Sequence, residues 1–284
     1  MMWSDALRRI VRSAKRHSAY RVLALPRRAV IGGRFALATT PQYLKWLAQS
    51  KEETNFTYSL SEMNLQYLAH TLAVVARTTP ELVRLYIDEL LDDRELADFI
   101  ISKTRESAYR NVSDARAGYA KRLGWYALVR LLKPRVVVET GVDKGLGSIT
   151  LCRGLMRNAT EGHPGRYIGT DINPEAGWLL QGAYAAFGEV RVGDSIATLE
   201  AMTETVDLFI NDSDHSEDYE AREYEVISPR LSPEGIILGD NAHVTSKLAE
   251  FSTRQERSFL FFKEEPLDHW YPGAGIGFSF PRQY

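Results

Sequence analysis

The sequence lacks several features that would place it outside the ordinary globular proteins. Its 284 residues include one cysteine, Cys152, which excludes an intramolecular disulfide framework and is typical of a reducing compartment. No apolar run approaches the ~20 residues of a membrane-spanning helix. The basic N-terminus has too short an apolar segment for a secretory signal. The net charge is only −2, so composition gives no argument for binding nucleic acid. We therefore expect a soluble cytoplasmic protein.

Charge is nevertheless unevenly distributed along the chain. Residues 1–34 carry nine basic residues and one acidic residue, a net charge of +8, whereas the other 250 residues carry 26 basic and 36 acidic ones. Five apolar residues recur at helical spacing in this segment: Trp3, Leu7, Ile10, Val11 and Ala14. Such a helix packs either on the acidic body of its own or a partner subunit, or weakly on an anionic membrane surface. We favour the first interpretation and expect a homodimer.

The pattern of apolar residues changes at Arg135. Residues 40–133 have helical periodicity, with Ser61 and Asp114 as predicted N-caps and Pro80 at a first helical position. After Arg135, short β-branched strands alternate with helices up to the C-terminus. This alternation predicts an α/β fold, a Rossmann-like doubly wound seven-stranded sheet with an N-terminal helical extension. We place the helical region at residues 1–114 and the sheet domain at 115–284.

Ligands of such sheets bind at the carboxyl ends of the strands, so the residues there are the candidates for function. The first predicted strand leads into VVVETGVDKGLGS, residues 136–148. Gly141, Gly145 and Gly147 would let a ligand approach the backbone at the start of the next helix. Their spacing departs from the dinucleotide fingerprint. Glu139 at the strand end suits a cationic ligand better than a pyrophosphate.

Two further acids follow the next two predicted strands. Asp171 ends the second strand, where an acid typically accepts hydrogen bonds from ribose hydroxyls. Asp194 follows the third strand and precedes Ser195. Helix capping would explain each acid alone, but their shared position after successive strands indicates one cleft.

The fourth and fifth predicted strands end in oxygen-bearing side chains. Asp212 and Asp214 would point to the same side if the backbone stays extended, and Asp240 and Asn241 follow the neighbouring strand. Carboxylate and amide oxygens are the ligands that Mg²⁺ prefers, with water or substrate oxygens completing the octahedron. The alternative is that Asp240 and Asn241 only turn the chain.

Together these motifs resemble the class I S-adenosylmethionine-dependent methyltransferases, and more narrowly the metal-dependent O-methyltransferases of the macrocin-type sugar and catechol groups. The resemblance covers residues from about 115 to 284. It implies metal binding by Asp212, Asp240 and Asn241, with Mg²⁺ or another divalent cation. It also implies an S-adenosyl-L-methionine site that contains Glu139, Gly141, Gly145, Ser148, Asp171, Asp194 and Ser195. The implied activity is methylation of a hydroxyl of a sugar or saccharide-containing small molecule.

The departures from these groups leave the catalytic base open. The catechol pattern has a lysine where this chain has His215, and the sugar pattern has D-G-D where this chain has Asp212-Ser213-Asp214. The base is therefore Asp214 or His215. Residues near the C-terminus are weaker candidates for the acceptor pocket: His243, His269, Trp270 and Tyr271.

The sequence leaves three alternatives to methylation of a sugar hydroxyl. A catechol or other phenol could replace the sugar as acceptor. An NAD(P)-dependent oxidoreductase would also use the glycine turn and Asp171, but it would leave the acids after the fourth and fifth strands unexplained. A binding module without catalysis is disfavoured by the intact set of acids.

Overall fold

The computed structural model describes residue 22 and residues 24–282, which divide into two units. The first unit contains the described residues up to Gln49 and the segment Asp268–Trp270, and the second contains Ser50–Leu267 and the residues from Tyr271 onward. The predicted boundary between residues 114 and 115 falls inside the second unit. The predicted basic helix that carries Trp3 lies outside the described residues. Within the described part of the chain, no helix has the length and apolarity needed to cross a membrane.

The first unit contains two short helices with little buried surface. They are α1 (Leu25–Ala36) and α2 (Thr40–Gln49), and α2 buries none of its residues. Within this unit Lys45 Nζ lies 2.5 Å from the Asp268 carboxylate. The ring of Trp270 packs edge-on against Tyr43, with centroids 5.8 Å apart.

The second unit contains the sheet and the helices that cover it. The helices are α3 (Glu62–Val75), α4 (Pro80–Leu91), α5 (Arg94–Glu106), α6 (Arg122–Leu132), α7 (Leu146–Thr160), α8 (Ser195–Ala201), α9 (Glu217–Ile227) and α10 (Lys247–Arg254). The strands are β1 (Val136–Thr140), β2 (Arg166–Asp171), β3 (Gly188–Val192), β4 (Val206–Asn211), β5 (Leu231–Asp240), β6 (Arg257–Lys263) and β7 (Gly275–Pro281). These elements confirm the seven predicted strands.

The sheet has the order β3-β2-β1-β4-β5-β7-β6. Strands β1 to β5 pair in parallel, and β7 pairs antiparallel with both β5 and β6. The chain runs outward in one direction from β1 to β3 and returns on the other side at β4. Because the strand order reverses between β1 and β4, a crevice opens at their carboxyl ends. The predicted α/β fold, a Rossmann-like doubly wound seven-stranded sheet with an N-terminal helical extension, is confirmed.

The two faces of the sheet bury separate apolar clusters, as side-chain alternation along a strand requires. Val137 and Leu208 belong to the cluster that packs against α3 to α7. Val138 and Phe209, one residue further along each strand, belong to the cluster that packs against α8, α9 and α10. Burial on both faces explains why these strands are continuous apolar runs in the sequence.

Most of the predicted helix starts are confirmed. The Ser61 side chain accepts a hydrogen bond from the backbone amide of Asn64 at 3.2 Å, and Pro80 occupies the first turn of α4. The predicted cap at Asp114 is wrong, because α6 begins eight residues later, at Arg122. The Asp114 carboxylate instead accepts hydrogen bonds from Ser50 Oγ and the backbone amide of Lys51, both at 2.9 Å.

Asp93 joins two helices through a buried carboxylate. It caps α5 by accepting from the backbone amide of Leu96 at 3.0 Å. It also accepts from Arg153 Nε at 2.6 Å and from Arg157 Nη2 at 2.8 Å, both on α7. Its side chain is only 2% exposed. Because α7 follows the glycine-rich turn, the ion pairs of Asp93 with these two arginines help to hold that turn in place beside the crevice.

We predict that Asp93→Ala lowers the free energy of unfolding by about 3 kcal/mol, because it removes a helix cap and leaves two arginines without their buried partner. Urea denaturation at neutral pH measures the loss. Asp92→Ala, at the exposed neighbouring residue, is the control and should change stability by less than about 0.5 kcal/mol. Equal losses in the two variants would contradict the role given to Asp93.

Candidate active site

A cavity of about 720 Å³ lies at the carboxyl ends of the parallel strands. Seven acidic residues and two basic residues line it. The acidic ones are Glu53, Asp143, Asp171, Asp194, Asp212, Asp214 and Asp240, and the basic ones are Lys121 and Arg122. Four of the predicted cofactor residues lie in the lining: Gly141, Asp171, Asp194 and Ser195. The cavity is therefore acid-rich, and the sequence motifs from different strands meet in it.

The register of the sheet sets three of these residues side by side. Asn211 in β4 is paired with Thr140 in β1 and with Gly239 in β5. The residues that follow, Gly141, Asp212 and Asp240, therefore leave the sheet at one level. Gly141 has a φ of +78°, and a Cβ on it would lie 1.9 Å from the carbonyl oxygen of Asp212. Only glycine allows β1 and β4 to end so close together.

Asp171 fixes the glycine-rich turn and faces the cavity. Its Oδ2 accepts hydrogen bonds from the backbone amides of Val142 at 2.9 Å and Asp143 at 3.0 Å, and its Oδ1 accepts from that of Asn173 at 2.8 Å. A carboxylate has about four acceptor positions, so one remains for a ligand hydroxyl.

Asp194 acts as a helix cap as well as a lining residue. Its Oδ1 accepts from the backbone amide of Ala197 at 2.8 Å, at the start of α8. Its Oδ2 accepts from Tyr219 Oη at 2.8 Å. These hydrogen bonds hold the pKa of Asp194 below its ordinary value. The capping alternative considered for this acid is thus realised.

Three predicted cofactor residues lie beneath the cavity and are not in its lining. Glu139 and Ser148 are buried, and Ser148 Oγ lies 3.2 Å from Glu139 Oε2. Tyr167 also donates to that oxygen. Burial raises the pKa of Glu139 to about 7. Gly145 has a φ of +89° and precedes α7. These residues support the turn from below.

A buried carboxylate on α9 joins the ends of several strands. Glu223 accepts hydrogen bonds from Thr140 Oγ1 at 3.2 Å and from Ser213 Oγ at 2.9 Å. The side chains of Ser195 and Asn211 donate to it as well. It therefore links the ends of β1 and β4 with the segments that follow β3 and β4. Burial raises the pKa of Glu223 to about 7.

Asp212 and Asp240 form a pair of adjacent carboxyl groups with Lys121 beside them. The Lys121 ammonium donates to Asp240 Oδ2 and lies 3.7 Å from Asp212 Oδ2. Burial and the charge of Asp240 raise the pKa of Asp212 well above its ordinary value. Burial opposes ionisation of Asp240 too, but Lys121 lowers its pKa to about 2. Two adjacent carboxylates ionise together only when sufficient positive charge is present.

The same place could hold a divalent cation. One ligand atom from each of Asp212, His215 and Asp240 can be chosen so that all three lie within 4.8 Å of one another. Asn241 Nδ2 lies 3.1 Å from both His215 Nε2 and Asp240 Oδ2. The oxygen of the same side-chain amide, Oδ1, is left for another partner. Apart from Asp212, no described residue is a hydrogen-bond partner for the buried Oδ1 of Asp240. The donor set is chemically suited to Mg²⁺ or Mn²⁺.

The extended backbone that would put Asp214 on the side of Asp212 ends before Asp214 is reached. Strand β4 ends at Asn211, so the alternation of side chains stops before Asp214 is reached. Asp214 is exposed, and its Oδ1 accepts from the backbone amide of Ser216 at 2.8 Å. His215 takes the position facing the acids, with Nε2 3.9 Å from Asp212 Oδ1.

The four candidates for the acceptor pocket have different surroundings. Tyr271 lines the cavity, His243 is exposed, and His269 and Trp270 belong to the first unit. Phe56 and Tyr58, which belong to no motif in the sequence, lie near Tyr271, with ring centroids 5.3 and 5.9 Å from the centroid of its ring. These three aromatic residues all belong to the cavity lining.

Comparison with known proteins agrees with this architecture. Residues 138–242 match the profile of a methyltransferase-domain family. That range begins in β1 and ends just after Asn241. Among curated proteins, no sequence gives a significant match.

Solved structures share the fold at low sequence identity. An O-methyltransferase from Bacillus cereus in complex with SAH is 16% identical, with a TM-score of 0.52 over 70% of this chain and 96% of that one. A methyltransferase from Geobacter sulfurreducens is 17% identical, with a TM-score of 0.50 over 70% of this chain and 96% of that one. This chain therefore has the α/β fold of these methyltransferases, and its central part matches a methyltransferase-domain family.

Proposed function

We propose that this protein is an S-adenosylmethionine-dependent O-methyltransferase that requires a divalent cation and acts on a hydroxyl of a sugar or saccharide-containing small molecule. One observation carries the proposal. The Asp212, His215 and Asp240 cluster opens into the same cavity as Gly141 and Asp171. Residues suited to the cofactor and residues suited to activating a hydroxyl thus lie in one crevice.

The charge of the lining supports a sulfonium cofactor over a dinucleotide. S-adenosylmethionine carries a positive charge next to its transferable methyl group, and seven of the nine charged Asp, Glu, Lys and Arg residues in the lining are acidic. A pyrophosphate would instead lie near Asp143 and Asp171, in the turn where dinucleotide sites present free backbone amides. This argues against the NAD(P)-dependent alternative.

The chain's residues would have separate roles in methyl transfer. The cofactor would supply the methyl group. Asp171 would accept hydrogen bonds from its ribose hydroxyls. Asp212, Asp240 and Asn241 would hold the cation, which lowers the pKa of a bound hydroxyl and orients it. Position alone favours His215 over Asp214 as the base, because His215 is the one that faces the acids. His215 Nε2 is now the hydrogen-bond partner of Asn241 Nδ2. An acceptor hydroxyl that takes over this hydrogen bond would lie within reach of His215 as the base.

The acceptor side of the cavity combines aromatic and polar groups. Phe56, Tyr58 and Tyr271 offer apolar faces, and Thr54 and Asn55 offer hydrogen-bonding groups close to them in the lining. A sugar presents both an apolar C–H face and several hydroxyls, so it fits this mixture. A catechol or other phenol would use the aromatic faces but fewer polar groups. Assaying saccharides and phenols in parallel distinguishes the two.

The first functional prediction concerns the cofactor. Asp171→Asn should weaken the binding of S-adenosylhomocysteine tenfold or more, ~1.4 kcal/mol, because the amide offers one acceptor atom instead of two. Calorimetry measures the affinity, and Asp98→Asn on an exposed position of α5 is the control. S-adenosylhomocysteine, and not NAD, should raise the melting temperature of the wild type. Stabilisation by NAD alone would favour the oxidoreductase.

The second prediction concerns the cation. Asp240→Asn should weaken Mn²⁺ binding tenfold or more, since it removes a charged ligand, while S-adenosylhomocysteine affinity stays within about threefold of wild type. Paramagnetic resonance of free Mn²⁺ measures binding. Asp214→Asn is the matched control, because its carboxylate is exposed and bonded to Ser216. Chelator should abolish methyl transfer and Mg²⁺ should restore it; full activity in excess chelator would refute metal dependence.

The third prediction concerns Glu223 and pH. Its pKa is about 7 in the folded protein and near its ordinary value of 4.5 in the unfolded chain. Folding therefore takes up a proton between these values, so the free energy of unfolding falls as pH rises from about 4.5 to 7 and levels off above.

Glu223→Gln should make this fall shallower by up to about 1.4 kcal/mol per pH unit, because one titrating group is lost. Glu139 titrates in the same window, so some of the fall remains. Urea unfolding at a series of pH values gives the slope. Glu225→Gln, an exposed charge on the same helix, is the control. An unchanged slope in Glu223→Gln would show that Glu223 is already ionised at low pH.

A further inference from the structure

The Lys121 ammonium lies against both acids of the proposed cation site. Its ammonium donates to Asp240 Oδ2 and is 3.7 Å from Asp212 Oδ2. A Mg²⁺ ion bound to these carboxylates would sit about 2.1 Å from a ligand oxygen of each. An ammonium in contact with Asp240 and a divalent cation bound to the same carboxylate would repel each other strongly in this buried setting. The two cations therefore exclude one another.

The position of Lys121 is built into the fold. It is the residue immediately before α6, and its side chain is only 12% exposed. Its Nζ also lies 5.7 Å from the centroid of the Trp125 ring, one turn further along the helix. Both acids are fixed at the ends of β4 and β5, so the ammonium meets them without any rearrangement. Lys121 lies outside the range that matches the methyltransferase-domain family, residues 138–242.

A second carboxylate could receive the ammonium once it leaves the acids. Glu264, just after β6, is completely buried and interacts electrostatically with Lys121 and Asp240. Tyr58 Oη donates to its Oε2 at 3.1 Å. Apart from the backbone amide of Lys121, no described residue is a hydrogen-bond partner for its Oε1. This oxygen is a buried acceptor available to a displaced ammonium.

We infer that Lys121 is a built-in competitor for the divalent cation: its ammonium neutralises the Asp212 and Asp240 site until a metal ion displaces it toward Glu264. This inference rests on the cation site of the proposed function. Lys121 is a positioning residue here, because it keeps the two acids together without metal and sets the metal affinity. Metal binding thereby depends on the position of one lysine from outside the strand-end motifs.

Lys121→Met tests the competition directly. Methionine has a similar length without charge, so the variant should bind Mn²⁺ at least tenfold more tightly than wild type, measured by paramagnetic resonance of free Mn²⁺ with no cofactor added. Without metal it should melt at a lower temperature than wild type, and Mn²⁺ should raise its melting temperature more. The control is Lys144→Met, since Lys144 is 14% exposed and also pairs with a buried acid, Glu52, at 3.3 Å. Its Mn²⁺ affinity should stay within twofold of wild type.

Glu264→Gln tests the second position, and its effect on the wild type can be measured even if Lys121→Met folds poorly. Removing the acceptor charge should weaken Mn²⁺ binding of the wild type about threefold or more. In the Lys121→Met background the same change should have no effect, because no ammonium needs to be accepted. Equal effects in both backgrounds would mean that Glu264 acts on the metal without Lys121, and would overturn this step.

The outcomes separate this inference from the proposed function. If the wild type binds Mn²⁺ and Lys121→Met binds it no more tightly, the competition is wrong and the metal site stands. If only Lys121→Met binds Mn²⁺, the competition is supported and metal dependence of the natural enzyme is contradicted. If neither protein binds Mn²⁺, both metal hypotheses fail, and S-adenosylhomocysteine binding still tests the methyltransferase assignment.

Discussion

Two carboxyl groups that lie side by side away from water need a positive charge, and this requirement organises the site. Asp212 and Asp240 are brought together by the pairing of β4 with β5, which is part of the sheet and cannot relax. Burial and the charge of Asp240 raise the pKa of Asp212, whereas burial is outweighed at Asp240 because Lys121 lowers its pKa. A divalent cation would allow both to ionise. The site is thus electrostatically suited to exchange one kind of positive charge for another.

The positions of the strand ends around this pair depend on buried contacts with neighbouring segments. Gly141 lets β1 and β4 end in close contact, and Glu223 ties the end of β1 and the segments after β3 and β4 to α9. A buried carboxylate that accepts hydrogen bonds from four side chains restricts each of them to one orientation. Asp171 does the same for the glycine-rich turn through three backbone amides. The cavity wall is therefore rigid where the cofactor is proposed to bind.

Features that depend on local pattern were predictable from the sequence. The strands, their order in the centre of the sheet and the meeting of Asp212 with Asp240 follow from apolar runs and from the rule for parallel sheets. The point at which β4 ends, Asn211, was not predictable, so the condition set for Asp214, an extended backbone, was not met. The cap at Asp114 failed because the carboxylate found other partners, Ser50 and Lys51.

Features that depend on contacts between distant segments had no sequence signal. Lys121 is one of 35 basic residues, and nothing near it in the chain distinguishes it from a surface charge. Its importance appears only when α6 brings it to the ends of β4 and β5. In the sequence, Glu223 is likewise one of several acids on a predicted amphipathic helix. Only the structure shows the four side chains that donate to it.

The lining of the cavity comes from two parts of the chain, and only one of them lies within the range of the family match. The acids proposed for the cofactor and the cation all lie within residues 138–242, the range that matches a methyltransferase-domain family. Phe56, Tyr58, Lys121 and Tyr271 come from outside that range, yet they line the same cavity. The acids proposed for the cofactor and the cation therefore lie in the matched part of the chain, whereas the aromatic residues proposed for the acceptor lie outside it. A search for the acceptor should start from Phe56, Tyr58 and Tyr271, since a change there alters the shape of the pocket without removing a contact to Asp212 or Asp240.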